Sequence, residues 1–313
     1  MNLSIQAGLI GLCIGDALGV PVEFCSRKAL MKEPLTDMIG YGSHQQPPGT
    51  WSDDASLTLC LVESLAHCKG VDVHDVARRF VEWKRGERWT PHGEVFDIGI
   101  ATSEAIARLA RGAEPELAGG IGEYSNGNGS LMRILPMAYW LLDASREERS
   151  AAVGKVSSLT HRHPLSIMAC VYYTEYAVQL LMGHGPQESY TATNRAFQLF
   201  YAGDSHLERF ERLLSGQLAN LNEDSIASSG YVMHTLEASI WSLLTTDSYA
   251  AAVLRAINLG EDTDTTGAVT GGLAGIYYGL SSIPSHWLEK LVRADELFQL
   301  CDSFNEGLAE LKR

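Results

Sequence analysis

Two short segments of the sequence place carboxylates and hydroxyl groups side by side. The first is Asp262-Thr263-Asp264-Thr265-Thr266-Gly267, which is followed by the small-residue stretch AVTGGLAG. Carboxylates two positions apart can converge on one hard cation such as Mg²⁺, Mn²⁺ or Ca²⁺, because these ions prefer oxygen ligands. An aspartate at the start of a helix can also act as a cap without a metal. Two aspartates with three threonines exceed what a cap needs, so the segment predicts a metal site.

The second segment is Trp51-Ser52-Asp53-Asp54-Ala55-Ser56. Adjacent carboxylates repel each other unless a cation or a network of donors compensates their charge. Taken alone, helix capping by Ser52 or Asp53 explains this segment as well as a metal does. Two aspartate-rich helix starts in one chain favour a shared centre with two metal ions.

Two other templates for the segment that starts at Asp262 can be compared with the sequence. A calcium loop of the EF-hand type requires a glutamate at its twelfth position, which here is Leu273. The pattern Asp-x-Asp-x-Thr also matches the nucleophile of haloacid-dehalogenase-like phosphatases, which follows a buried strand of a Rossmann-like sheet. Residues 258–261 follow a helical pattern instead, and no βαβ series surrounds them. This phosphatase is kept as the alternative hypothesis.

Other candidate residues are less specific. Asp16 and Glu23 are isolated acids in the apolar segment GDALGVPVE, and a buried carboxylate needs a partner. The glycine-rich segment Asn126–Arg133 could offer N–H donors to a phosphate, although it lacks the Walker and Rossmann spacings. An ordinary loop explains that segment equally well.

The histidines of His161-Arg162-His163-Pro164 could suggest zinc, but no third ligand lies nearby in the sequence. A capping or hydrogen-bonded histidine ahead of the helix that follows is favoured. Asp97, in the segment FDIG, is explained in isolation by helix capping.

The elements that must position these residues are helices. Apolar residues recur at helical spacing within 57–68, 167–181 and 232–244, and alternating β-type runs are nearly absent. No linker or internal repeat interrupts the pattern. The sequence therefore predicts one compact, all-α domain over residues 1–313, with polar sites where helix ends meet.

Composition excludes several classes of protein. Hydrophobic residues make up 45% of the 313 positions and charged residues 20%, which is typical of a globular chain. With 38 acidic and 24 basic residues the net charge is −14, so no diffuse nucleic-acid-binding surface is expected. The six cysteines form no CxxC pair, and no signal peptide or membrane-length apolar run occurs. We expect a cytoplasmic protein without a membrane partner.

In chain order these pieces resemble the ADP-ribosylglycohydrolase family, which includes the dinitrogenase-reductase-activating glycohydrolases. The resemblance spans nearly the whole chain and rests on GDALGVPVE, WSDDAS, FDIG, NGNGSLMR, LTHRHP, SGYV and LGEDTDTTGAVTGGLAG. It implies an all-α orthogonal bundle around a cleft that holds two Mg²⁺ or Mn²⁺ ions. This fold agrees with the helical periodicity.

The resemblance also implies a role for each matching residue. Glu23, Asp53, Asp54 and Asp97 would take part in catalysis, with Glu23 near the metals or the glycosidic bond and Asp97 at the substrate end of the cleft. The metal ligands would be Ser52, Asp53, Asp54, Asp262, Asp264 and Thr265. The substrate, through its diphosphate and adjoining ribose, would contact Asn126, Gly127, Asn128, Gly129, Ser130, Met132 and His161.

The implied reaction is hydrolysis of the N- or O-glycosidic bond between ADP-ribose and an acceptor on a protein or small molecule, with arginine favoured. Glu23 would protonate the leaving group, and water positioned by Asp53 or Asp54 would attack an oxocarbenium-like centre. A non-catalytic ADP-ribose-binding protein is the other possibility on this fold. Ser52 in place of the usual Thr, Ala55 in place of Thr and Glu261 in place of Gly leave the substrate class open.

Overall fold

The computed structural model describes residues 4–311, and the prediction of an all-α fold is confirmed: no β-strand occurs in this range, only isolated bridges. The fifteen α-helices of residues 4–311 are α1 (Gln6–Gly19), α2 (Arg27–Lys32), α3 (Asp53–Cys68), α4 (Val73–Lys84), α5 (Ile100–Ala110), α6 (Pro136–Trp140), α7 (Arg146–Ser158), α8 (Pro164–Leu181), α9 (Pro186–Phe200), α10 (Glu211–Leu214), α11 (Val232–Leu244), α12 (Tyr249–Ile257), α13 (Thr263–Tyr278), α14 (Ser285–Lys290) and α15 (Ala294–Leu311). Short 3₁₀ turns connect several of them.

The three periodic stretches of the sequence lie in helices, as predicted. They correspond to α3, α8 and α11. At the start of α3 the Ser52 hydroxyl accepts a hydrogen bond from the Asp54 amide (3.2 Å), which is a standard N-cap. At the start of α8 the cap is His163, whose Nδ1 accepts from the Leu165 amide (3.2 Å). No helix within residues 4–311 has the length and apolarity needed to cross a lipid bilayer.

The phosphatase hypothesis is wrong. It requires a strand directly before Asp262, whereas the preceding residues form α12 and a turn that contains Gly260 at φ +82°. The described chain also lacks the parallel sheet on which that chemistry depends.

Helices α1 and α13 run antiparallel through the core and are almost wholly buried. Their backbones touch along a line of glycines. A Cβ atom added to Gly15 would lie 2.1 Å from the Gly267 carbonyl oxygen, and one added to Gly271 would lie 2.2 Å from the Gly11 oxygen. Real Cβ atoms essentially never come within 3.0 Å of such an atom. The small residues after Asp264 therefore allow the close approach of α1 and α13.

This close contact sets the positions of three helix ends. The Thr263 hydroxyl at the start of α13 donates to the Gly19 carbonyl at the end of α1 (2.8 Å). Asp16, one turn earlier on α1, accepts hydrogen bonds from the amides of Ser52 (2.9 Å) and Ala55 (2.9 Å). The acidic starts of α3 and α13 are thereby fixed beside α1.

We expect the substitution Gly271→Ala to lower the free energy of unfolding by about 1–3 kcal/mol or more, because the added methyl group meets a backbone oxygen that cannot move alone. Gly154→Ala is the matched control, since Gly154 also lies within a helix but its added Cβ would meet only Ile167 at 3.5 Å. Alanine in place of this helical glycine should leave stability unchanged or raise it by up to about 1 kcal/mol. Urea unfolding measures the free energy of unfolding of both variants. Equal stability of the two variants would contradict the close packing of α1 against α13.

Candidate active site

Carboxylates from four separate segments meet at one cleft of about 270 Å³. Glu23 follows α1, Asp53 begins α3, Asp97 precedes α5, and Asp262 is the residue before α13. The cleft is lined by Glu23, Asp53, Asp97, Gly99, Ile100, Ala101, Thr102, Gly127, Asn128, Gly129, Met132, His161, Gly230, Asp262 and Thr265. These four acids and the glycine-rich loop thus face the same space, whereas the predicted ligands Ser52, Asp54 and Asp264 are not among the cleft-lining residues.

Among the predicted metal ligands, the carboxylates of Asp54 and Asp264 are almost completely buried, each about 1% exposed. One oxygen of Asp54 accepts hydrogen bonds from Ser52 Oγ (3.1 Å) and Thr265 Oγ1 (3.4 Å). Its other oxygen, Oδ1, has no hydrogen-bond partner, and neither has Oδ2 of Asp264. A buried carboxylate oxygen without a partner is costly. Both oxygens are free to bind a cation.

The chemistry of the donors fits divalent metal ions. One carboxylate oxygen from each of Glu23, Asp262 and Asp264 lies within 4.8 Å of the other two. Carboxylate and hydroxyl oxygens are the ligands that Mg²⁺ and Mn²⁺ prefer, and the cation charge would offset the repulsion between the acids. The acidic cluster therefore fits the metal ions that the resemblance implies.

The electrostatics of the cluster favour protonation when no cation compensates the charge. Burial, followed by the neighbouring carboxylates, raises the pKa of Asp53, Asp54 and Asp264 well above their usual range. Burial also raises the pKa of Asp262 and of Asp97. Each additional negative charge in this space makes the next one harder to form.

Glu23 has a histidine partner that the sequence analysis missed. Nε2 of His44 contacts Oε2 of Glu23, and the hydroxyl of Ser43 donates to the Glu23 carbonyl (2.5 Å). Burial raises the pKa of Glu23 to about 7, although the hydrogen bond from His44 opposes this rise. The same hydrogen bond raises the pKa of His44. His44 lies in the turn segment YGSHQQPPGT, where no periodicity or spacing distinguishes it.

Asn128 joins the glycine-rich loop to the acidic cluster. Its Nδ2 donates to Asp262 Oδ2 (2.9 Å) and to Thr235 Oγ1 on α11 (2.8 Å). Asp262 therefore does not cap α13 with its side chain. The role of Thr235 has no signal in the sequence, since threonine within an apolar helix is common.

The loop passes directly over His161. A Cβ added to Gly129 would lie 2.7 Å from His161 Cε1, so only glycine fits there. His161 is buried, and burial together with Arg133 lowers its pKa to about 3, which keeps the ring neutral. Its Nδ1 pairs with the Thr160 hydroxyl (2.8 Å). The two neighbouring histidines thus have different roles: His163 caps α8, whereas His161 faces the cleft.

Two predicted substrate-binding residues, Asn126 and Ser130, are not among the cleft-lining residues. The Asn126 amide donates to the Glu123 carbonyl within its own loop (2.9 Å). Ser130 is fully buried beneath the loop, where it accepts a hydrogen bond from the Ser157 hydroxyl (2.9 Å). Their side chains support the loop in this structure.

Three residues around the site have left-handed backbone conformations that favour glycine. They are Phe24 (φ +65°), Asp97 (φ +45°) and Glu261 (φ +64°). The family resemblance leads us to expect glycine at position 261, and the left-handed backbone of Glu261 explains why glycine suits this position. Non-glycine residues in this region are strained, and such strain is concentrated at functional sites. Two of the three, Phe24 and Glu261, are also connected by a backbone hydrogen bond, from the Phe24 amide to the Glu261 carbonyl (2.7 Å).

Comparison with known proteins identifies the class. The family model of ADP-ribosylglycohydrolase matches residues 4–312, and the chain belongs to the ADP-ribosylglycohydrolase family. A solved structure titled "ADP-ribosylglycohydrolase-related protein complex" superimposes with a TM-score of 0.80 at 30% identity, covering 98% of each chain. The chain thus has the fold of this family.

Two curated relatives carry the names of enzymes that hydrolyse ADP-ribose linkages. ADP-ribosylarginine hydrolase Tri1 of Serratia proteamaculans is 33% identical over 95% of this chain and 77% of the relative. ADP-ribosyl-[dinitrogen reductase] glycohydrolase of Rhodospirillum rubrum is 31% identical over 90% of this chain and 88% of the relative. The resemblance stated from the sequence motifs is confirmed.

We expect the chelator-treated protein to lose stability as the pH rises from about 6.5 to about 8. The pKa values of Glu23 and Asp16 are raised to about 7, above their unfolded values, and those of Asp53, Asp54 and Asp264 are also raised well above their usual range. The folded state then holds more protons than the unfolded state, so stability is lost as the pH rises through the folded pKa values. His161 opposes this trend only below its unfolded pKa of 6.5, outside this window.

Urea unfolding with chelator at the two pH values measures this loss, for which we expect more than about 1.4 kcal/mol, the equivalent of one pKa unit. Added Mg²⁺ should restore much of it at the higher pH, because metal ions bind the ionised carboxylates. A chelated protein that is equally stable at both pH values would contradict the assigned electrostatics.

Proposed function

We propose that this protein is a metal-dependent ADP-ribosylarginine hydrolase that cleaves the N-glycosidic bond between ADP-ribose and a guanidinium group and releases ADP-ribose. One observation carries the proposal: two buried carboxylates with unpartnered oxygens, Asp54 and Asp264, lie directly beside the acids that line a cleft together with a glycine-rich loop. The names of the relatives support the linkage, since one of them is an ADP-ribosylarginine hydrolase.

The residues that would hold two Mg²⁺ or Mn²⁺ ions are Ser52, Asp53, Asp54, Asp262, Asp264 and Thr265. When bound, the ions supply Lewis acidity and orient the hydroxyl groups of the ribose next to the bond that breaks. Asp16 supports this set from behind, because it fixes the Ser52 and Ala55 amides at the start of α3. We propose that it positions the ligands without contacting the substrate.

Glu23 is the proposed proton donor to the leaving group. A carboxyl with a pKa of about 7 holds its proton near neutral pH and can still release it, which suits a general acid. His44 fixes the orientation of the carboxyl through its contact with Oε2. Asp53 and Asp54 would orient the water that attacks the anomeric carbon, where positive charge develops as in other glycoside hydrolyses. Asp97 lies near Glu23 at the end of the cleft assigned to the acceptor.

Gly127, Asn128, Gly129 and Met132 would contact the diphosphate and the ribose beside it. Glycines let a ligand approach the backbone closely, and backbone amides are suitable donors to phosphate oxygens. The neutral ring of His161 adds a polar contact at the floor without adding a charge. Asn126 and Ser130 would hold the loop in place. The acceptor would be an ADP-ribosylated protein or small molecule, and the single domain over residues 1–313 and the cytoplasmic location stay predictions.

We expect Asp264→Asn to reduce Mg²⁺-dependent release of ADP-ribose from ADP-ribosylarginine at least about 100-fold, because the variant loses a charged metal ligand. Asp247→Asn is the matched control, since Asp247 is exposed and is not a cleft residue. Chromatographic detection of free ADP-ribose measures the effect, and calorimetric titration of Mg²⁺ shows whether affinity for the metal falls with it. Full activity of the Asp264 variant would refute the ligand assignment.

A second substitution separates an enzyme from a protein that only binds ADP-ribose. We expect Glu23→Gln to reduce the rate of release by about 100-fold or more, because the amide cannot donate the proton, while ADP-ribose still binds in the presence of Mg²⁺. Rates and calorimetric affinities of this variant and the wild type are compared. A wild type that binds ADP-ribose but releases none from any linkage would favour the non-catalytic alternative.

A further inference from the structure

Three rings lie in a row beside Glu23 and Asp97, two acids that line the cleft. The ring centroids of Phe24 and His44 are 5.8 Å apart, and those of His44 and Phe96 are 5.4 Å apart. Phe24 directly follows Glu23, and Phe96 directly precedes Asp97, so two distant segments each contribute one acid and one aromatic ring. We call Phe24, His44 and Phe96 the aromatic rim.

The acids and the rim form one unit. Nε2 of His44 contacts Glu23, and ligand atoms of Glu23, His44 and Asp97 all lie within 4.8 Å of one another. Both carboxylates line the cleft. The carboxylate of Asp97 and the aromatic rings are therefore adjacent at the place where the group leaving the ribose must lie, beside Glu23, the proposed proton donor.

Phe24 is held in an unfavourable state that packing within the protein does not explain. Its side chain is 71% exposed, and its backbone is left-handed at φ +65°. Two hydrogen bonds hold it there: the Phe24 amide donates to the Glu261 carbonyl (2.7 Å), and the Glu261 amide donates to the Cys25 carbonyl (2.8 Å). Strain of this kind costs on the order of 1 kcal/mol or more, and an exposed ring recovers little of it by burial. This combination is typical of a side chain that contacts a ligand.

The chemistry of such a surface selects a planar cation. A guanidinium group stacks on aromatic faces and pairs with carboxylates, which an ammonium group does less well and a neutral alcohol does not. We infer that the aromatic rim, with Glu23 and Asp97, binds the guanidinium of the acceptor and selects arginine-linked over serine-linked ADP-ribose. This inference rests on the proposed function and names the residues that set its acceptor specificity.

Substitution by leucine tests the inference, because leucine keeps apolar volume and removes the aromatic face. We expect Phe24→Leu and Phe96→Leu to raise KM for ADP-ribosylarginine by roughly five- to thirtyfold, the range for losing cation–π contacts. Phe24→Tyr, which keeps the ring, should be affected less than Phe24→Leu. The affinity for ADP-ribose, which lacks the acceptor, should stay within twofold or so of the wild type in all three. Leu199→Ala is the matched control, since Leu199 is 72% exposed on α9 and is not a cleft residue.

A binding experiment gives a readout that does not depend on turnover. Agmatine, which carries a guanidinium and no ADP-ribose, is titrated calorimetrically into the wild type and the leucine variants with Mg²⁺ and ADP-ribose present. We expect agmatine to bind the wild type more tightly than the variants, and n-butylamine to show a smaller difference. Circular dichroism and thermal unfolding verify that the variants remain folded.

The outcomes separate this inference from the proposed function. Equal kcat/KM for ADP-ribosylarginine in the wild type and both leucine variants would overturn the proposed role of the aromatic rim. The hydrolase proposal would not be affected. A parallel loss of ADP-ribose affinity would also overturn it, because the rings would then contact the nucleotide. A wild type that binds agmatine through the rim but releases no ADP-ribose would support the rim and refute the hydrolase.

Discussion

Two helices that are far apart in the sequence, α1 and α13, pack with their backbones in contact along a line of glycines. Because no side chain separates them, the distance between the two axes is fixed by backbone atoms and cannot adjust through rotamer changes. The acidic starts of α3 and α13 are positioned by this pair. Asp264 lies in the first turn of α13, Asp16 lies on α1, and Asp16 in turn holds the start of α3. We call this glycine-lined contact between α1 and α13 the glycine seam. Its rigidity suits a site whose side chains must be positioned to within a fraction of an ångström.

The cluster of carboxylates opposes the stability that this packing provides. Burial and mutual repulsion raise the pKa values of its members, so the folded protein accommodates the ionised cluster poorly without compensating positive charge. Hydrogen bonds from Ser52, Asn128 and Thr265 satisfy only some of the oxygens. The protein keeps these groups although apolar residues would pack at lower cost, which is the usual sign that binding and not folding has selected them.

Much of the fold and part of the site could be predicted from the sequence. Periodicity predicts α3, α8 and α11 correctly, because the apolar residues of such helices recur at regular spacing within a short stretch of sequence. The acidic segments at Asp53 and Asp262 were also recognisable, since several ligands are adjacent in each. His44 and Thr235 were missed because each acts alone, and its partner is brought close only by the tertiary structure. In the sequence, Asp97 looks like an ordinary helix-capping aspartate. Only the structure shows its left-handed backbone and its position at the cleft.

The glycine seam has a consequence for the order in which the molecule can be made. Thr263 and its partner Gly19 are 244 residues apart, so α1 leaves the ribosome long before the helix that covers it exists. Until then its apolar, glycine-rich surface has no permanent partner, and contacts this distant in sequence form slowly. The acidic starts of α3 and α13 can therefore come together only after α13 has been synthesised. A nascent chain that ends with α12 would carry Glu23, Asp53, Asp54 and Asp97 but neither Asp262 nor Asp264, so the acidic cluster cannot be completed before both core helices are present.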